Sequence, residues 1–410
     1  MALNYIWVGF FIIAFLCSLF EFFFNHNTAI FQEIITALFD RAKTGFELSL
    51  GLSGMMTLWL GIMKIGEKAG AVDLLSKAVS PLFTRLFPEI PKNHSSMGSM
   101  MMNFSANMLG LDNAATPLGL KAMKELQSLN PNKDTASNAQ IMFLVLNSSG
   151  LTIIPVSILA LRMSSGSVNP TDVFVPILMA TICSTLVGLI ATALFQRINL
   201  LQPVVLAYLF AVIAFVGGIG YYVNGKSQAE IEVFTSLFSN LLLFGVIISF
   251  IVMGLLSKIN IYEAFIDGAK EGFNVAITIV PYLVAMLCAV GVFTASGAME
   301  ILLSGVRCLV DLLGMDNRFV DGLPTAFMKP LSGGGARGLM AESWKIHGVD
   351  SFVGKLTSII QGSTETTFYI LAVYFGSVGI KKTRHAVSAG LIAEVAGIVA
   401  AIAIAYMFFG

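Results

Sequence analysis

The chain has 410 residues, 56% of them hydrophobic and only 12% charged, with a mean hydropathy of +0.83. A soluble domain carries about 25% charged residues, so this composition excludes one and specifies an integral membrane protein. The formal net charge is zero, which removes any electrostatic case for nucleic-acid binding.

The N-terminus lacks the basic stretch and small-residue cleavage site of a signal peptide, so the first apolar run is expected to be kept as a span. Runs near the ~20 apolar residues that a bilayer requires fall at about 4–24, 45–66, 139–162, 173–196, 203–223, 235–256, 273–294, 352–376 and 383–408. Cys17, Cys183, Cys288 and Cys308 are scattered among these runs and fit neither a disulfide framework nor a zinc site. His26, His94, His347 and His385 are equally dispersed, so no metal site is expected.

Between the second and third spans lies an amphipathic piece, 71–87, ended by Pro88 and Pro91. The moderately apolar stretch 97–126 follows, interrupted by Asn103, Ser105, Asn107, Asp112, Asn113, Thr116 and Pro117. Lipid would not tolerate those groups, whereas a re-entrant hairpin or broken helix packed inside protein would. Asp112 and Asn113 suit a hard cation or a sugar-like hydroxyl, or they cap a half-helix. The third span carries a hydroxyl-rich run, Asn147-Ser148-Ser149-Gly-Leu-Thr152.

Asn224-Gly-Lys-Ser-Gln-Ala-Glu230 is the most polar short linker and marks the boundary between two halves, 1–200 and 231–410, joined by a span and loop over 201–230. The halves are related. At an offset of 227, Asp40, Lys43, Gly45, Gly70 and Ser105 meet Asp267, Lys270, Gly272, Gly297 and Ser332; further on, an offset of 214 brings Asn147, Ser149 and Thr152 to Gln361, Ser363 and Thr366. A collinear series of this length marks an internal duplication. The single extra span between the halves places the second on the opposite face, which makes the repeats inverted, as in many secondary transporters. Counting crossings puts 14 of the 24 Lys and Arg on the starting face, so the N-terminus is expected inside and the C-terminus outside.

In the second half, 298–345 repeats the interrupted arrangement, with Pro324, Pro330 and Gly333-Gly-Gly335 as breakers. Lys329-Pro-Leu-Ser-Gly-Gly-Gly-Ala-Arg337-Gly lacks the ending and the preceding strand of a phosphate-binding loop. It reads as a helix-breaking loop, with Arg337 able to face an anionic group. The strongest polar run is Gln361-Gly-Ser363-Thr364-Glu365-Thr366-Thr367, set inside a span. A carboxylate there costs on the order of 2.5–3.5 kcal/mol on insertion scales. Glu365 therefore either binds an ion or substrate or pairs with Lys329 or Arg337. Glu394, the only acid between Arg384 and the C-terminus, divides the same way between ion coupling and structural pairing. The hydroxyls of both runs serve a transport site or act as packing glue between helices.

Residues 1 to about 200 resemble spore maturation protein A through Asn103-Phe-Ser-Ala-Asn-Met-Leu-Gly-Leu-Asp-Asn-Ala-Ala-Thr-Pro-Leu-Gly119. Residues from about 230 onward resemble spore maturation protein B through the Lys329–Gly338 segment, Gln361-Gly-Ser-Thr-Glu-Thr-Thr-Phe-Tyr369 and Tyr374-Phe-Gly-Ser-Val-Gly-Ile-Lys-Lys-Thr383. This looks like a fused A–B form. The resemblance implies the gate-domain, or nucleoside-recognition, group, distantly related to concentrative nucleoside transporters, in which hairpins and broken spans form the site.

The expectation is an all-α integral membrane protein of two inverted repeats with re-entrant helical hairpins and broken transmembrane helices, in a bacterial inner membrane. It moves a small polar organic solute, nucleosides being candidates, coupled to sodium or protons. Substrate contacts are expected from Asn103, Ser105, Asn107, Asp112, Asn113, Asn147, Ser148, Ser149, Thr152, Ser332, Arg337, Gln361, Ser363, Thr364, Thr366 and Thr367, with Glu365 and Glu394 for ion coupling. No cofactor beyond that ion, no catalytic set and no nucleic acid are expected; solute and lipids are the partners, with a homo-oligomer as an option. The alternative is a non-transporting membrane factor that organises or acts on lipid or peptidoglycan precursors.

Overall fold

A computed structural model describes the backbone of residues 2–91 and 94–410; the side chains of residues 2–4, 112–114 and 276 lie outside the description. The chain opens with α1 (Ala2–Phe24), the 39-residue α2 (Ile30–Lys68) and the amphipathic α3 (Ala71–Leu86). Helices α4 (Ser95–Met108) and α5 (Asp112–Leu129) double back as a hairpin; α6 (Asn138–Ser149) and α7 (Val156–Ser164) share one apolar run, and α8 (Phe174–Gln196) closes the series. After α9 (Pro203–Val223) and α10 (Gln228–Leu256) the same order returns. It runs through a long α11 (Ile261–Ala295), an amphipathic α12 (Ala298–Leu312), a second hairpin of α13 (Leu323–Met328) and α14 (Gly333–His347), a split pair α15 (Phe352–Ser363) and α16 (Thr367–Ser377), and α17 (Ala386–Phe409).

Seven helices are long and apolar enough to cross a membrane among the described residues. The spans at 139–162 and 352–376, each carrying a polar run, are broken as expected into half-helices of 12 and 9 and of 12 and 11 residues. The causes are local: Gly150 turns left-handed at φ 61°, and Thr364 is extended at φ −149°. A correction concerns the spans at 45–66 and 273–294, which are parts of much longer helices. Charges such as Asp40, Arg41, Asp267 and Lys270 hid their ends from a hydropathy reading. At 1.5 Å per residue α2 and α11 run roughly 50–60 Å, well beyond a ~30 Å hydrocarbon core.

The duplication is visible in contacts as well as in element order. Lys68 pairs with Asp267 and Lys64 with Glu271, so the end of α2 meets the start of α11 and the two equivalent helices run antiparallel. Gly45 faces Val284, and at the 227-residue offset Gly272 faces Met56 and Thr57; Arg41 lies over Gly291 as Lys64 lies over Gly268. These glycines let the backbones approach more closely than any Cβ would permit. Gly70 and Gly297, both left-handed at φ 93° and 79°, turn the chain from the long helices into α3 and α12. Ser137 and Ser351, related by the 214 offset, each cap the first half-helix of a broken span.

The α6/α8 face of the first series packs against α15 and α17 of the second, forming the seam of the molecule. At one end of that seam the holding bonds are largely main-chain: Lys381 and Lys382 N–H donate to the Asp134 carbonyl, Ala136 N–H to that of Lys382, and Arg384 to that of Ala136. At the other end sits a fully buried guanidinium. Arg162 of α7 donates to Asp172 at 2.9 Å, Asp350 at 3.0 Å, the Val349 carbonyl at 3.0 Å and the hydroxyls of Ser167 and Ser358; Lys355 pairs with the far oxygen of Asp172 at 2.9 Å. A third tie, Arg41 to Glu342 at 2.5 Å, fixes α14 of the second hairpin to α2.

Two outcomes follow. Gly272→Ala drives a methyl into the Met56 backbone and lowers the melting temperature in detergent, an overpacking cost of about 1–3 kcal/mol; Gly245→Ala, which opens into free space, is neutral or slightly stabilising because alanine favours helix. Arg162→Met leaves Asp172 and Asp350 facing one lysine and destabilises by about 3–5 kcal/mol. Arg162→Lys recovers little of the melting temperature, since one ammonium cannot reproduce the planar fork.

Candidate functional site

Both chain breaks lie where the two series meet. The Glu365 N–H donates to the Ser148 carbonyl at 2.9 Å, so the second break rests on the end of α6. Each break also receives the tip of its own hairpin: Ile153 N–H bonds the Met108 carbonyl at 2.7 Å, and Phe368 N–H bonds the Pro330 carbonyl at 3.2 Å. Gly150 is required at this crossing. It sits at positive φ, and a Cβ there would lie 2.9 Å from the Glu365 nitrogen. Thr181 of α8 donates to the Gly150 carbonyl at 2.8 Å, satisfying a group freed by the break.

The polar side chains sort into three groups. The first is bonded largely within itself, with only the Asn103 side-chain oxygen among its amides left buried and unpartnered. Asn107 donates to the Asn147 side-chain oxygen at 2.7 Å, the Tyr374 hydroxyl donates to the same oxygen at 3.1 Å, Asn147 donates to the Phe143 carbonyl, and Asn103 donates to the Ala115 carbonyl at 2.8 Å and reaches Tyr374 at 3.3 Å. Nearby, Ser105 bonds Ser76 of α3. This network joins the first hairpin to α6 and to α16 of the other series. Ser149 and Ser363 spend their hydroxyls on the Leu146 and Ile360 carbonyls, Thr152 on Gly150, and Ser332 caps α14 at the Gly335 N–H.

The second group surrounds Glu394. Its carboxylate is fully buried; one oxygen accepts the Thr367 N–H at 3.3 Å, capping α16, and the other has no hydrogen-bond partner. The Ser148 and Thr367 hydroxyls touch beside it, and Gly390 on the same helix leaves room for them. In the first series the neutral Thr181 of α8 meets the break, so the carboxylate belongs to one half only.

The third group lines a cavity of about 60 Å³, walled by Gly110, Thr152, Lys329, Arg337, Gln361, Thr364 and Glu365. Lys329 is buried and donates to the Gln361 carbonyl at 2.8 Å. Gln361 reaches the Gly333 carbonyl at 3.4 Å with its amide, while its side-chain oxygen and the hydroxyls of Thr364 and Thr366 are buried with no partner. Glu365 is exposed to the cavity and Arg337 half-exposed, and no ion pair joins the two. The side chains of Asp112 and Asn113, at the start of α5, lie outside the described residues.

A larger cavity of about 810 Å³ runs beside the α2–α11 crossing, lined by Leu60, Lys64 and Glu67 on one helix and Glu271, Asn274 and Thr278 on the other. Leu111 closes one of its walls, while its neighbour Gly110 lines the smaller cavity. The tip of the first hairpin thus stands between the two. Gly110 is left-handed at φ 73°, and a Cβ there would meet the Ile154 carbonyl at 2.8 Å.

Sequence reasoning missed Tyr374, which lies in a motif noted above but reads as an ordinary membrane aromatic. It also missed the Arg162 cluster, whose only signal was a basic residue at the very end of an apolar run.

A family model described as Gate, nucleoside recognition, matches residues 49–165 and 276–381, one stretch in each half. Spore maturation protein A of Bacillus subtilis (strain 168) is 43% identical over 153 residues, 37% of this chain and 78% of that protein. Spore maturation protein B of the same organism is 41% identical over 165 residues, 40% of this chain and 91% of that protein. With both halves matched and both breaks inside the matched stretches, the chain belongs to the Gate, or nucleoside recognition, family.

Proposed function

We propose that this multi-pass membrane protein is a secondary-active-type transporter of a small polar organic solute, coupled to sodium or protons, acting in a bacterial inner membrane with its N-terminus inside. The observation that carries the reading is the state of the polar atoms at the breaks. The Gln361 oxygen, the Thr364 and Thr366 hydroxyls and one Glu394 oxygen are all buried there without protein partners. Groups of this kind cost about 1–3 kcal/mol each when left unmade, and a solute or ion taken up between the breaks supplies the missing bonds.

Access supports the same reading. Leu111 at the hairpin tip lines the larger cavity and its neighbour Gly110 the smaller one, so a displacement of that tip is the route by which the two would join. The family description, nucleoside recognition, and the relatives' names fit a membrane role without specifying the solute. The network of Asn107, Asn147 and Tyr374 favours the second reading, a non-transporting factor, because those groups hold one another. The open group at Gln361 and Thr364 weighs against it.

Uptake into proteoliposomes distinguishes the two. Gln361→Ala lowers uptake of whichever screened solute is transported by roughly 5- to 150-fold, the rate equivalent of ~1–3 kcal/mol, with the protein level in the membrane unchanged. Glu394→Gln abolishes gradient-driven accumulation while solute exchange across the membrane continues, because only the coupling step needs a carboxylate. Uptake that is undetectable for every solute, or unaffected by both changes, overturns the transport reading.

A further inference from the structure

Resting on the reading of the breaks as a solute site, we infer that the solute is a small zwitterion, its anionic group held by Arg337 and its cationic group by Glu365. Charged side chains at bilayer depth pair with each other or face a wet cavity. Here the lining of a single cavity includes a guanidinium, Arg337, and a carboxylate, Glu365, and no ion pair joins the two. They belong to different elements, Arg337 to α14 of the second hairpin and Glu365 to the break between α15 and α16.

The remaining cation on the wall is committed elsewhere. Lys329 is 2% exposed, and its ammonium is directed at the Gln361 carbonyl. What the cavity presents beside that buried ammonium is one guanidinium and one carboxylate that form no ion pair with each other. A planar fork such as Arg337 matches a carboxylate in bidentate fashion, and Glu365 accepts from an ammonium. Between them the free oxygens of Gln361 and Thr364 accept further N–H or O–H donors.

Volume argues in the same direction. A water needs about 10–15 Å³ of cavity, so about 60 Å³ holds roughly four waters, or a solute of a few heavy atoms. Pockets for drug-sized ligands are on the order of 300–1,000 Å³. A base with its ribose does not fit this conformation, whereas a molecule of the size of alanine does.

The test uses the full-length protein in lipid nanodiscs and five probes: L-alanine, β-alanine, propionate, propylammonium and uridine. One or both amino acids raise the melting temperature of the wild type at millimolar concentration, and the other three do not. Glu365→Gln transfers the preference to propionate, and Arg337→Gln transfers it to propylammonium. Neither change breaks an ion pair, so both variants keep the wild-type unliganded melting temperature; Glu365→Asp, which retains the charge, keeps the amino-acid preference. The zwitterion assignment is overturned if uridine alone stabilises the protein, if no probe does, or if the two neutral variants keep the wild-type ranking. Those results leave the transport reading to the uptake experiment, which fails only when no solute of any class is carried.

Discussion

Every backbone amide at bilayer depth must find its partner inside the protein, and this chain breaks two of its helices there. The structure meets that demand by bringing the breaks to one place. The Ser148 carbonyl takes the Glu365 N–H, each hairpin tip offers a carbonyl to its own break, Thr181 serves Gly150, and Glu394 serves the start of α16. The close crossing of α2 and α11, the glycines at the contacts and the capping serines all keep these elements in register. Once the backbone is satisfied in this way, the side chains around it are available for something else, and several remain without partners.

Much of this was legible in the sequence. A polar run inside an apolar one marked both breaks, the Pro- and Gly-interrupted stretches marked both hairpins, and the 227-residue offset matched residue pairs that the structure brings into equivalent contacts. What stayed hidden depends on neighbours distant in the chain. Asn107 and Gln361 look alike in sequence, each an amide at membrane depth, yet the first spends its donor on Asn147 and the second keeps a bare oxygen. Residue type fixes how many bonds a group can make; only the fold decides which are already made. The lengths of α2 and α11 were hidden for another reason, because charges placed near their ends pair across the helix crossing and look, in sequence, like loops.

The duplication is faithful in backbone and unfaithful in chemistry. Around the two breaks Thr181 of α8 serves the first, whereas the buried carboxylate of Glu394, which meets Ala180 at the 214-residue offset, serves the second. The seam is closed by main-chain bonds at one end and by a buried five-point guanidinium at the other. An inverted repeat with identical halves would present the same surface to both faces of the membrane. Here the differences give direction to an otherwise symmetric frame, and they collect where charge is most expensive to bury.

The Arg41–Glu342 bond divides the molecule along a line the gene duplication does not predict. It couples the second hairpin to the long antiparallel pair, and breaking a buried pair of this kind costs about 3–5 kcal/mol. Among the described residues no ion pair ties the first hairpin to that pair of helices; its polar network runs instead to α16. One re-entrant element is thus tied to the long antiparallel pair, while its twin is tied to α16 of the opposite half, so both ties run across the ancestral halves and not within them.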